Sequence, residues 1–358
     1  MSVPFEAKEI ASLLTWKQRS ASPELLRSGY EQHLEQRFRS LCENQHGDIQ
    51  CIAESLDLLP PQQRSRFLRS PLVASRLLTD YENSVLDYRP IAKGLLAELA
   101  IAGMVDVLEE SIWTALGDRR LDPGKHGSWN APPVQILGTE IVIDAEGPTD
   151  FSGPATGRLV LADADEREAV KRKVADAAAA IAAASEHALS FWSACQDVVA
   201  LRKAADLSAI CSSNSFIRNA RLAVIVNGHL PAVQTASIAD AIVHEAIHSL
   251  LFMYEETRAA LVARDGEAIS ATVTSPWTRK ELFLSAYVHA CIIWYGLFWF
   301  WHEAKSRRSF SADYCDYFSS RAAKGFAQGA LTGVPAELRR FLSEPAIGLL
   351  GEIESQMS

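Results

Sequence analysis

The stretch "ARLAVIVNGHLPAVQTASIADAIVHEAIHSLLFMYEE", residues 220–256, decides how this chain is read. Its opening run of apolar, largely β-branched residues closed by Asn227-Gly228 predicts a strand. A loop through Pro231 leads to Ser237, an expected N-cap, and a helix follows. Four residues of α-helix advance the chain by about 400°, so His244 and His248 project from nearly one face. With Glu245 between them they spell HExxH, a pair of imidazoles spaced to meet one cation.

Working outward, the chain has 358 residues, 48% of them hydrophobic, enough for one large core or two modest ones. A net charge of -9, with acidic and basic residues interspersed, leaves no basic stripe for phosphates and argues against nucleic acid as a partner. Six cysteines are scattered without a CxxC pair, which fits a reducing, cytoplasmic setting, and the first residues lack the pattern of an export signal. One stretch imitates a membrane span: "LFLSAYVHACIIWYGLFWFW", residues 282–301, is long and apolar enough. His289, Ser285 and Gly296 inside it favour a helix buried at the centre of a soluble protein over one facing lipid, so no membrane is expected.

The fold class expected is mainly α with a minor β part, a multi-helical protein carrying a small sheet next to the HExxH helix. Residues 5–118 read as successive amphipathic helices, as in "PELLRSGYEQHLEQRFRSL", where apolar residues recur near a period of 3.6. From Gly124 to about Asp163, Gly, Pro and Asp punctuate short β-branched runs that predict strands or hairpins. One long helix is expected from "DEREAVKRKVADAAAAIAAASEHALSFWSACQDVVAL", opening on acidic residues as a helix dipole prefers. The HExxH helix is expected to continue past Glu256 through "TRAALVARDGEA", with a new segment from Pro276 and an amphipathic helical tail from 303. Two regions result: a helical N-terminal region, 1–125, and a metal-binding catalytic region, 126–358, packed as one unit. The predicted strand at 221–227 offers an edge on which an extended peptide could be laid.

Two ligands hold a metal poorly, and the third must come from elsewhere. Glu255 shares the stripe of His244 and His248 but lies about 10 Å along the axis from His248, so it is expected to line the pocket rather than bind the ion. Leu251 and Tyr254 break the longer HExxHxxGxxH pattern and exclude a metzincin. Glu267 and Glu281 lack a buried helical context. His289 has one, in the most apolar helix of the chain, where an ionisable group is costly without a partner. His302 falls on the opposite side of that helix beside charged residues. Ser285 and Gly296, small residues on the stripe of His289, suggest a pocket wall, and Phe283, Tyr287 and Trp294 would keep it dry. Three imidazoles suit zinc, iron, copper or nickel, and spacing alone does not choose among them.

The blocks "LAVIVNGHLPAVQTASIADAIVHEAIHSLL" and "TSPWTRKELFLSAYVHACIIWYGLFWFW" together resemble the family of HEXXH-motif peptide-modification proteins found near natural-product peptide genes. There a strand ending in Asn precedes the HExxH helix, and an SPW turn with a basic residue precedes a helix carrying another His. The resemblance covers about residues 200–302. It implies an iron(II)- and 2-oxoglutarate-dependent dioxygenase that hydroxylates a β-carbon of a ribosomally made precursor peptide, presented directly or by a partner protein. It implies His244, His248 and His289 as iron ligands, and Glu245 as a proton-handling residue beside them. The basic residue after SPW falls at Arg279 or Lys280, a guanidinium or ammonium for the far carboxylate of 2-oxoglutarate. The strand-ending Asn227 joins Glu255 and Ser285 among the residues expected around the substrate. The competing expectation is a zinc metallopeptidase with Glu245 as general base activating the metal-bound water.

Overall fold

In the computed structural model the described residues are 6–43, 54–78, 89–105, 109–123, 129–130, 141–144, 159–160, 162–204, 212–214 and 220–358. Most of the strand-like runs expected between 124 and 163, together with Cys51 and Cys211, lie outside them.

The chain is mainly helical with small sheets. Among the described residues of the N-terminal region are the helices α1 (Ala7–Leu13), α2 (Ser22–Glu43), α3 (Pro61–Arg69), α4 (Pro71–Leu77) and α5 (Arg89–Ile101). In α2 the apolar residues Leu26, Tyr30, Leu34, Phe38 and Cys42 recur every four positions and are buried, with Pro23 buried at the helix start. Helical periodicity stops earlier than expected, because β1 (Ile112–Trp113), β2 (Arg120–Leu121) and β3 (Trp129–Asn130) form a small antiparallel sheet.

The long helix expected from residue 165 is two helices and a strand. Helix α6 (Ala164–Ala184) starts on a capping box of Asp163 and Glu166 and stops at Ser185, whose extended backbone and side chain cap α7 (Glu186–Cys195) instead. The "VVAL" run then belongs to β6 (Val198–Ala204), the buried parallel partner of β4 (Val142–Asp144) and of β8 (Leu222–Val226). A run of apolar residues reads alike in a buried helix and a buried strand, and parallel pairing on both sides of β6 settles it as strand.

The strand β5 (Leu159–Val160) also pairs with β6, and β7 (Ser212–Asn214) pairs antiparallel with β8. Strand β8 is therefore flanked on both sides, by β6 and by β7, and the expected peptide-docking edge at 221–227 is already used by the chain itself. Asn227 likewise faces the protein and not a substrate. It is fully buried, its backbone is left-handed (φ 57°), and its Oδ1 accepts from the Ala204 N–H at 2.9 Å, closing the ends of β6 and β8.

The loop from β8 to the motif helix is clamped by Lys173 of α6, whose ammonium donates to the carbonyls of Gly228, Leu230 and Val233 at 2.7–3.0 Å. The motif helix α8 (Thr235–Thr257) begins after Gln234, ahead of the expected Ser237 cap, and ends at Arg258 rather than running on. Residues beyond it form a bridge, Val262 to Leu342, and a short 3-10 turn, Gly266–Ile269. Helix α8 packs against α2, α6, α7 and β8, and its base is tied down where Ser249 Oγ accepts from the Arg221 N–H. Arg221 itself is fully buried and paired with Asp197.

The SPW turn joins the antiparallel pair β9 (Thr272–Thr274) and β10 (Glu281–Phe283), and β10 runs straight into α9 (Leu284–Arg307). Helices α8 and α9 cross antiparallel: Trp301 Nε1 donates to Asp240 Oδ1 at 2.7 Å near one end, and His289 meets His248 near the other. Between them Gly296 sets the spacing, since a Cβ there would sit 2.7 Å from Ile247 Cδ1 and 3.4 Å from Leu14. The room at Gly296 is filled by Ile247 and Leu14, so this glycine serves helix packing and is not the pocket wall expected from its size.

Helices α10 (Ala312–Ala323) and α11 (Glu344–Met357) complete the chain, the first along α9 and the second against α1 and α9. Both α8 and α9 are long and apolar enough to cross a membrane, yet 78% and 72% of their apolar windows are buried inside the protein. Among the described residues the main hydrophobic cluster draws on residues from Ala7 to Ile353, with two smaller clusters apart from it. Its size explains why two helices are apolar on nearly every side.

Candidate metal centre

The antiparallel crossing puts His289 of α9 opposite His248 of α8, with their Nδ1 atoms 3.4 Å apart and ring centroids 5.6 Å apart. Two nitrogens bound at about 2.0–2.1 Å to one tetrahedral ion stand about 3.4 Å from each other, so this pair has the separation of two ligands of one ion. His244, one turn before His248, has its ring centroid 5.0 Å from that of His248. Its Nε2 is turned to its own neighbour, 3.9 Å from Glu245 Oε1. As the side chains are placed, no group of three or more His, Cys, Asp or Glu among the described residues closes on one point. The structure thus brings two of the three expected imidazoles face to face and the third alongside.

Glu255 is where the backbone reading and the tertiary structure part. Along α8 it is remote from His248, but α9 carries His289 to it: Glu255 Oε2 lies 3.1 Å from His289 Nε2. Its other oxygen accepts from the Leu261 N–H at 3.0 Å, just past the helix end. With both oxygens engaged, Glu255 orients His289 rather than lining a substrate pocket. A proton on Nε2, held by the carboxylate, leaves the Nδ1 lone pair aimed at His248. Burial pushes the Glu255 carboxyl up, but the bond to His289, the charge of that ring and the Leu261 N–H outweigh it and hold the group below its ordinary range.

The imidazoles of α8 are kept neutral, the form that binds metal. Burial, aided by the charge of Arg321, lowers His244 to about 4. Burial, then the neighbouring His244 and His289, holds His248 well below its ordinary value. Glu245 is nearly fully buried, with its side chain 1% exposed. Phe252 stacks on His248 at 5.6 Å between centroids and closes on His289 at 5.2 Å, giving the pair an apolar floor.

The aromatic wall is narrower than expected. Trp294 meets His244 edge to face at 6.4 Å, and Trp277 of the SPW turn stacks on Trp294 at 5.8 Å. Trp277 Nε1 donates to the Ala322 carbonyl of α10 at 2.9 Å, so the SPW motif braces the turn against α10. Tyr287 instead points at the Ala330 carbonyl, and Phe283 is 60% exposed. Ser285 is exposed in the first turn of α9, one turn before His289.

Arg279 and Lys280 are exposed at the turn between β9 and β10, Arg279 in a left-handed conformation (φ 61°). Neither side chain makes an ion pair among the described residues. His302 is exposed and its ring lies tilted against Phe298, away from the centre.

Two residues of this site escape sequence reasoning. Arg321 sits far along the chain in an ordinary amphipathic helix, with nothing local to mark it. The orienting role of Glu255 needs the crossing of α8 and α9 to appear. Comparison with known proteins adds no assignment: no protein-family model matches the chain, and no curated protein matches it.

Proposed function

We propose that the chain is an iron(II)- and 2-oxoglutarate-dependent oxygenase that hydroxylates a side-chain β-carbon in a ribosomally synthesised precursor peptide. The observation that carries this reading is the His248–His289 pair, two imidazole Nδ1 atoms 3.4 Å apart with Glu255 behind one of them. It supports His244, His248 and His289 as an all-nitrogen set, His244 joining by rotation of its side chain. Bound there, iron(II) supplies the activation of dioxygen: 2-oxoglutarate is oxidised to succinate and carbon dioxide, one oxygen atom enters succinate, and the other is inserted into the target C–H bond.

The chain's own residues do the rest. Glu255 holds the proton on His289 Nε2 and so keeps Nδ1 a donor to metal. Phe252 and Trp294 exclude water from one side of the imidazoles. Glu245, buried beside His244, suits a proton-handling or orienting role better than that of a base facing an open, water-filled cleft. A cytoplasmic setting, with four described cysteines free and buried, suits an enzyme acting on a newly made peptide.

The test is anaerobic reconstitution with iron(II), followed by 2-oxoglutarate, dioxygen and a candidate precursor peptide. Stoichiometric succinate and a gain of one oxygen atom in the peptide are expected. Full zinc occupancy, peptide cleavage that disappears in Glu245→Gln, and no succinate would establish a zinc metallopeptidase instead.

A further inference from the structure

We propose that Arg321, and not Arg279 or Lys280, is the seat for the far carboxylate of the dicarboxylic acid bound at the histidine centre. The inference rests on reading that centre as a 2-oxoglutarate site and assigns a residue to it.

Arg321 lies in the last turn of α10, with its guanidinium carbon 4.8 Å from the centroid of the Trp294 ring. Trp294 is the residue whose edge meets His244. The shelf under the guanidinium is built from three elements: Trp294 from α9, Trp277 stacked on it from the SPW turn, and α10, whose Ala322 carbonyl receives the Trp277 N–H. A guanidinium seated over an indole keeps N–H groups free, and a guanidinium can grip a carboxylate with two parallel hydrogen bonds. Trp294 thus touches both the cation, 4.8 Å from its ring, and His244, 6.4 Å between centroids, and a five-carbon diacid whose keto-acid end chelates at the histidines would extend its far carboxylate toward that cation.

Arg321 is exposed and makes no ion pair with any described carboxylate. The acid on the same helical stripe as the histidines, Asp240, is turned to Trp301 Nε1. Arg279 and Lys280 have no such shelf. Both lie exposed at the hairpin turn.

The experiment is anaerobic calorimetric titration of the manganese(II)-loaded protein with 2-oxoglutarate and, separately, with pyruvate, which keeps the chelating end but lacks the far carboxylate. Arg321→Gln is expected to weaken 2-oxoglutarate at least tenfold and leave pyruvate unchanged. Arg321→Lys is expected to fall between, and Arg279→Gln to match the parent. Manganese(II) affinity and thermal midpoint serve as controls for folding. Parent-like 2-oxoglutarate affinity in Arg321→Gln overturns the assignment, as does a loss confined to Arg279→Gln or Lys280→Gln. A loss of peptide affinity alone moves the seat from cosubstrate to substrate and overturns it equally. If the parent protein binds neither keto acid, the reading of the centre fails first and the seat with it.

Discussion

Removing the carboxylate behind His289 separates orientation of the centre from the integrity of the fold. Glu255 makes two bonds of different kinds: 3.1 Å to His289 Nε2, and 3.0 Å from the Leu261 N–H. Losing the first frees the imidazole to turn or to carry its proton on Nδ1, where it no longer donates to metal. Such orienting partners change metal affinity by about 10–100-fold, or roughly 1.4–2.7 kcal/mol. Losing the second strands a backbone donor at the helix end and costs about 1–3 kcal/mol of stability. Glu255→Ala is therefore expected to show both effects. Glu255→Gln keeps one acceptor, retains most of the stability and still loses metal affinity. Iron(II) affinity is read anaerobically by competition with a chromophoric chelator, and stability by urea unfolding of the metal-free protein. Parent affinity in both variants, with stability alone reduced, would show that Glu255 only clamps the helix end and would refute the orienting role.

Two further outcomes follow from other parts of the fold. Glu98 on α5 is fully buried, and burial, with Asp118 adding to it against the opposing Arg66, raises it from 4.5 to about 7. Because the folded value is the higher one, this group's contribution to stability is complete below about 4.5 and is lost as pH rises through 7. The loss is about 3 kcal/mol. Glu98→Gln should flatten that slope and be the more stable protein at pH 8, whereas parallel urea-unfolding profiles from pH 5 to 8 would count against it. At Gly325, a Cβ would lie 1.9 Å from Trp277 Cε2, a rigid ring that has no room to yield. Gly325→Ala should displace Trp277 from Trp294, cost about 1–3 kcal/mol and alter the near-ultraviolet circular dichroism. An unchanged spectrum would show that the indole pair does not depend on that glycine.

What could be read without coordinates was periodic or local. Helical spacing in the N-terminal half, the strand at 222–226, the adjacency of His244 and His248, and the choice of His289 over the exposed His302 all follow from which residues a regular element turns inward. Ambiguity entered where period carries no information: "VVAL" reads as helix or strand until its parallel partners are known, and the end of α8 at Thr257 has no breaker in the sequence. Everything that depends on one element crossing another belonged to the tertiary structure. The antiparallel meeting of α8 and α9 converts Glu255 from a distant residue on its own helix into the partner of His289, and Gly296 from a gap into a contact. Packing of α10 carries Arg321 onto Trp294. The physical reason is common to all three: a helix determines which face a side chain occupies, but only the burial of that face against another element determines what it touches.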